Sequence, residues 1–325
     1  MTLSTRRSIL RSVLQLPLLM AAPAAETRAA GFPVTVAHAL GSTRIAAAPR
    51  RVVSLGYNDH DFLYALGIAP VAVTEWWGNR PYATWPWAEE RLQALGAFPA
   101  VAGGRQINPE WVLSQQPDLI VATYRDLDAD TYAQLSKIAP VIAHPQGYDA
   151  WSAPWQVQLR LLDRATSGTT AGADRIIGEI DAGFAAIRQR YPALAGKSAS
   201  LADMRDGQFV LWSRKTASGR FLAGLGCRLP EHLERSATAA GWIHISFEKA
   251  GEMDLDAVLW PNGKREDVEA VPTYRRLRLF REKRSIWLDD NERVLSAALW
   301  FQSPLSIRFA AEPVARRLAQ VLSPT

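Results

Sequence analysis

The chain has 325 residues, a formal net charge of +5 and 48% hydrophobic residues. That length suits two domains or one large one, with apolar content ordinary for a globular fold. The basic residues form no run of five or more and no nucleic-acid motif, which excludes DNA or RNA binding, while a positive excess suits anionic ligands. The lone cysteine, Cys227, excludes an intrachain disulfide.

Thr5-Arg6-Arg7-Ser8-Ile9-Leu10-Arg11 is a twin-arginine pattern, followed by an apolar run from Val13 to Ala22 and small residues around Ala24 and Ala29-Ala30. The run is shorter than the about 20 residues needed to span a bilayer. Residues 1–30 are therefore expected to be a Tat-type signal peptide. With no cysteine near the cleavage region, the mature chain is expected free in a periplasm, without a lipid anchor.

Residues 33–45 alternate about Gly41-Ser42, a β-hairpin signal. Arg51 to Leu55 reads as a strand ending in Gly56-Tyr57-Asn58, and Asn58 or Asp59 caps a helix stopped by Gly67. Val71 to Thr74 is the next strand. Ile107-Asn-Pro-Glu110 opens a short helix with an exposed glutamate, before the Pro117-Asp118 turn and a buried strand over 119–122. A helix over 132–139 and a strand over 141–143 follow. Strands alternating with helices imply a parallel sheet covered on both faces.

From Ala171 to Tyr191 the apolar positions 173, 176, 177, 180, 184 and 187 keep a helical period that Pro192 ends. This helix is expected to join two lobes. The second half repeats the theme, with strands over 198–202, 208–212, 257–260 and 285–288, a helix from Phe221 stopped at Gly226, and a closing helix from Pro313 to Leu322. Ile245-Ser-Phe-Glu248 repeats the glutamate-bearing helix ahead of a strand. The expected division is 31–168 for the N-terminal α/β lobe, 169–192 for the linking helix and 193–325 for the C-terminal α/β lobe.

Several stretches then carry a family likeness: Pro49-Arg-Arg51-Val-Val-Ser54, Ala65-Leu-Gly67-Ile-Ala-Pro70-Val71, Gly104-Arg105 with Asn108-Pro-Glu110, Gln116-Pro117-Asp118-Leu-Ile-Val121, Leu222-Ala-Gly-Leu-Gly226 and Trp300-Phe-Gln-Ser-Pro304-Leu-Ser306. In order and spacing the chain resembles the periplasmic substrate-binding proteins of ABC transporters that import iron–siderophore complexes and cobalamin, the ferric hydroxamate type most nearly, over roughly residues 33–322. The resemblance implies an α/β fold of two Rossmann-like lobes joined by a single long helix, the class III periplasmic binding protein. It places the ligand in the cleft at the strand ends, with modest closure. It implies iron transport without catalysis: a ferric siderophore as ligand, hydroxamate favoured, no resident cofactor or metal, an ABC permease of the inner membrane as partner, and a monomeric state.

By the same resemblance Glu110 and Glu248 match the docking glutamates, one per lobe. Arg105 matches an arginine on the iron-bound oxygens, a task suited to a planar guanidinium fork. Tyr124 matches a tyrosine of the same role, and Trp300 a tryptophan followed by Phe. The chain has 12 tryptophans. Trp76, Trp77, Trp85 and Trp87 are too many for one core. Trp77, Trp212 and Trp300 are the leading candidates for cleft lining, where ring faces contribute area at low entropy cost. Trp242, Tyr57, Arg80, Arg125, Arg214 and Arg220 are further candidates on the same rim. A catecholate would need converging cations, which Arg80, Arg125 and Arg214 offer. Cobalamin stays open, as does heme, which would need Tyr57, Tyr124 or a histidine as axial ligand. The five histidines are scattered and lack metal-ligand spacing. An enzyme on this scaffold is the contrasting reading, but no nucleophile–base pair, Gly-x-Ser-x-Gly or phosphate loop is present.

Overall fold

A computed structural model describes residues 31–104, 106–288 and 293–322. The expected signal peptide and Arg105 thus lie outside the described residues. Strands β1 (Val34–His38) and β2 (Gly41–Ile45) pair as an antiparallel hairpin. There follow β3 (Val52–Ser54), α1 (Asp59–Ala65), β4 (Ala72–Thr74), α2 (Pro86–Ala94), β5 (Ala100–Ala102), α3 (Pro109–Ser114), β6 (Leu119–Ala122), α4 (Ala129–Ser136) and β7 (Val141–Ala143). The strands β3 to β7 form one parallel sheet in the order β5-β4-β3-β6-β7. Helices cover both faces, so β3, β4, β6 and β7 are buried throughout and read as unbroken apolar runs. From β3 the chain moves outward to β4 and β5, then returns to the other side of β3 as β6. The chain leaves β3 toward β4 and β6 toward β7, on opposite sides, which marks a switch point at their carboxyl ends, the usual place of a ligand crevice.

Helix α5 (Trp155–Ser167) ends at Gly168, whose φ of 80° is left-handed. Helix α6 (Ala171–Arg190) has 20 residues and buries Ala173, Ile176, Ile177, Ile180, Phe184 and Ile187. At 1.5 Å per residue it is about 30 Å long. Beyond it come β8 (Ala199–Arg205), β9 (Gln208–Trp212), α7 (Ala217–Gly224), α8 (Glu231–Ser236), β10 (Trp242–Ser246), β11 (Ala257–Trp260), α9 (Arg265–Ala270), α10 (Arg278–Arg281), β12 (Ser285–Trp287), α11 (Arg293–Phe301) and α12 (Pro304–Leu322). The fold class is thus two α/β halves with α6 between them.

Three details differ from expectation. The second sheet, β10-β9-β8-β11-β12, is mixed: β8, β11 and β12 are parallel, while β9 is antiparallel to both β8 and β10. Asp206 (φ 49°) and Gly207 (φ 72°) explain this, because a two-residue left-handed turn can only fold β9 straight back on β8. The strand β10 takes up Ile245 and Ser246, so Glu248 sits on a 3-10 helix, Phe247–Met253. The closing helix begins at Pro304, with Pro313 inside it. Its apolar stripe of Ile307, Ala310, Ala311, Val314, Ala315 and Leu318 is continuous across the proline, so packing overrides the lost backbone hydrogen bond. One apolar cluster runs from Val36, Phe62 and Leu119 through α5, α6 and α12 to Leu201 and Leu259. No described helix is long and apolar enough to cross a membrane.

Candidate functional site

The crevice is built where β3 and β6 end. Leu55 N–H donates to the Val121 carbonyl at 2.7 Å and Tyr57 N–H to the Tyr124 carbonyl at 3.1 Å, so the sheet pairing continues into the two loops. Asp59, fully buried at the start of α1, accepts from Thr123 N–H (2.7 Å), the Thr123 hydroxyl (2.8 Å), Tyr124 N–H (3.1 Å) and the Gln158 amide (3.0 Å). Burial still pushes its carboxyl above the usual range. Gly56 is required here, because a Cβ would collide with the Asp59 carboxylate. The clasp fixes the backbone from which Tyr57 and Tyr124 project.

Their rings join others. Tyr57 stacks on Trp76 (centroids 5.9 Å, 20° between planes) and on Trp151 (5.9 Å, 14°). Tyr124 meets Trp76 and Trp151 edge-on at 5.7 and 5.0 Å. Trp76 rests on Phe301 at 5.0 Å. Tyr57, Glu75, Trp76, Trp77, Gly104 and Trp151 line a cavity of about 610 Å3. Trp77, which packs edge-on against Trp85 at 4.7 Å, also borders a second cavity of about 680 Å3, walled by Asn262, Lys264, Arg265, Trp287 and Arg293. A smaller cavity of about 220 Å3 shares Gly104 and takes in Arg125 and Trp111. The two large cavities lie past strand ends of both sheets and meet at Trp77.

The expected cations fall into distinct places. Buried Arg125 donates from Nη1 to the Leu55 carbonyl at 3.1 Å, with its guanidinium carbon 4.9 Å from the Tyr57 ring centre. Arg220, on α7, donates to the carbonyls of Lys215 (2.7 Å), Ser152 (3.3 Å) and Ala153 (3.4 Å), which ties the Trp151 loop to the second half. Burial lowers the pKa of both guanidinium groups. It also pushes the Tyr124 hydroxyl up to about 12. Arg80 lies over the Trp85 ring at 4.7 Å, and exposed Arg214 pairs with Glu234 at 3.2 Å.

The structure therefore brings Tyr57, Tyr124 and Trp77 together, with Arg125 and Arg220 behind them. It does not bring the candidates Trp212, Trp300 and Trp242 to that wall. Trp212 is only 4% exposed, in the core, against Trp300 at 4.5 Å. Both faces of β9 are covered, so its area goes to packing. Trp242, on the edge strand β10, is 38% exposed and faces Arg205 at 5.2 Å. Arg105 lies outside the described residues, beside the cavity-lining Gly104. Sequence reasoning missed Glu75, Trp151, Lys264 and Arg293. Only the position of Glu75 just past β4 hinted at the cavity.

Glu110 and Glu248 are both exposed and both second in their helices. Asn108 caps the first, accepting from Glu110 N–H at 2.9 Å. The Glu248 backbone N–H and the Ser246 hydroxyl hold the Glu248 carboxyl below its usual range. Among the described residues no three His, Cys, Asp or Glu side chains gather as a metal site.

Residues 52–292 match the family model described as periplasmic binding protein. A solved periplasmic solute binding protein from Mycobacterium smegmatis is 34% identical, covering 89% of this chain and 99% of that one, with a TM-score of 0.77. The structure of Streptococcus pneumoniae PiaA in complex with ferrichrome shares the fold, at TM-score 0.74 and 23% identity over 89% of this chain and 98% of that one. The "probable siderophore-binding lipoprotein YfiY" of Bacillus subtilis is 27% identical over 232 residues, 70% of this chain and 68% of its own length. That relative, a lipoprotein, overturns the expectation of twin-arginine export to a periplasm without a lipid anchor. Charged, apolar and small residues in that order are common to several export signals, and the order alone decides neither route nor anchor.

Proposed function

We propose, from the premise that this chain belongs to the periplasmic binding protein family, that it captures a ferric siderophore of hydroxamate type and delivers it to an ABC permease. The observation that carries this is the wall of Tyr57, Trp76 and Trp151 on a cavity of about 610 Å3, with Tyr124 packed edge-on against both tryptophans. That volume falls within the roughly 300–1,000 Å3 of small-molecule sites. The iron arrives already wrapped by its chelator, so the protein needs ring faces and a few polar donors rather than metal ligands. The names of the relatives, one siderophore-binding and one holding ferrichrome, support the same ligand class.

A hydroxamate complex fits better than a catecholate, which carries more negative charge. Arg220 directs its Nη donors to backbone carbonyls, and Arg125 donates to the Leu55 carbonyl. Tyr124, with its hydroxyl pushed up to about 12, suits an O–H donor to chelate oxygens better than the phenolate a heme iron would take. Arg105, next to Gly104, is assigned to the iron-bound oxygens. Residues 31–168 and 193–325 act as the two lobes and 169–192 as their link. Glu110 and Glu248 dock a monomer onto the permease. The chain carries its cargo unchanged and catalyses no reaction.

Titration of the purified protein with ferrichrome, followed by tryptophan emission, tests this. Saturable quenching is expected. A flat emission across ferric hydroxamates, catecholates and citrate rules the reading out.

A further inference from the structure

We propose that Glu75 and the rings beside it form a cation cup, so that the cargo of this cleft is a ferric chelate bearing a protonated amine or other ammonium group. The inference rests on the ferric-chelate reading and specifies the charge of the ligand.

Glu75 sits directly after β4, where its N–H donates to the Ala102 carbonyl at 3.0 Å. Its Oε1 accepts from the Arg80 N–H at 3.0 Å, which orients the carboxylate. Oε2 has no hydrogen bond or ion pair among the described residues. Of the described side chains lining the 610 Å3 cavity, Glu75 alone is charged, and the rest are Tyr57, Trp76, Trp77 and Trp151. Among the described residues Arg80 lies over Trp85 and Arg220 is tied to the Trp151 loop.

A half-buried carboxylate loses hydration and gains from an opposite charge. Aromatic faces carry a negative quadrupole and attract the same sign of guest. The two effects converge on an ammonium. The balance of charge reverses beyond Trp77, where Lys264, Arg265 and Arg293 outnumber Glu266 along the second cavity, and among the described residues only Arg265 of the three is paired with an acid, Glu269 at 2.7 Å. The cleft is therefore polarised. A chelate lies with its ammonium toward Glu75 and any anionic arm toward Lys264 and Arg293.

The test uses the iron(III) complex of desferrioxamine B, a linear trishydroxamate with a protonated terminal amine, and its N-acetylated neutral counterpart. The wild-type protein is expected to bind the amine form about tenfold more tightly, the scale of one partly desolvated cation–π and carboxylate contact. Glu75→Gln keeps the acceptor for Arg80 N–H and is expected to bring the ratio close to one. Near-ultraviolet circular dichroism matching wild type verifies that the loop is intact. Equal affinities in the wild type, or a preference that survives in Glu75→Gln, overturns the cation cup and leaves the ferric-chelate reading standing. Binding confined to ferric citrate, an anionic chelate, does the same. If no ferric chelate binds at all, both fall.

Discussion

The side-chain amide of Asn58 donates to the Phe301 carbonyl at 2.8 Å, linking the first turn of α1 to the end of α11. Gln158 donates back to Asn58 Oδ1 at 2.9 Å, and the Ser303 hydroxyl donates to Asp61 at 2.7 Å. This buried polar seam sits beneath Trp76, which rests on Phe301. The aromatic wall is thus supported by residues from both halves of the chain.

Asn58→Ala leaves the Phe301 carbonyl unpaired in the interior, while Gln158 keeps Asp59 and Thr123 as acceptors. The expected loss is about 1–3 kcal/mol of unfolding free energy, the usual cost of one orphaned group. Urea denaturation measures it, and a loss near zero would remove the seam as a source of stability.

Asp61 gives a pH prediction. Its Oδ2 accepts from Trp87 Nε1 and Ser303, whereas its buried Oδ1 has no hydrogen bond and faces His60 Nε2 at 3.7 Å. Burial raises its pKa above the ordinary 3.8. A native pKa above the unfolded one means the group's favourable contribution is complete below about 3.8 and is lost as pH rises through the raised value. Asp61→Asn lacks that loss. The melting temperature of the variant minus that of wild type is therefore expected to be higher at pH 8 than at pH 4. The same difference at both pH values contradicts this account.

Trp151 and Arg220 are predicted to act as a unit. Trp151→Ala removes a stacked face and is expected to weaken ferrichrome binding about tenfold. Arg220→Ala releases the Ser152 and Ala153 carbonyls and lets the Trp151 loop drift, so it weakens binding in the same direction. The double variant is expected to be less impaired than the sum of the two, as for any pair sharing one function. Strict additivity in a double-mutant cycle would separate them.

Much of the scaffold was legible because its signals are local. The apolar runs of β3, β4, β6 and β7 announced a covered parallel sheet, and the 3.6-residue rhythm of α6 located that helix to within one residue. The positions of Tyr57 and Tyr124 were legible because they stand in the loops just past β3 and β6. The antiparallel β9 was not, since its direction is set by the left-handed pair Asp206-Gly207. Pro313 looked like a helix start because proline favours first turns. Trp151 had no local signal, because its place depends on a contact from Arg220 far along the chain. Glu75 by itself looked like any solvated loop carboxylate.

Glu110 and Glu248 are predicted to matter for transfer and not for capture. Glu110→Ala combined with Glu248→Ala should leave the ferrichrome dissociation constant unchanged and reduce uptake by cells expressing the permease. Their contribution is to orientation and encounter rate, so the defect should deepen as salt is lowered in wild-type comparisons. Undiminished uptake would dismiss the docking assignment.

The apolar cluster that passes unbroken from the first sheet through α5, α6 and α12 to the second has a mechanical meaning. Packed methyls resist sliding, so the halves form a stiff pair with little spontaneous gaping. Loading is then governed by what fits the groove at rest. On the proposed function, unloading then requires leverage from outside, and the opening stroke falls to the receiving membrane machine.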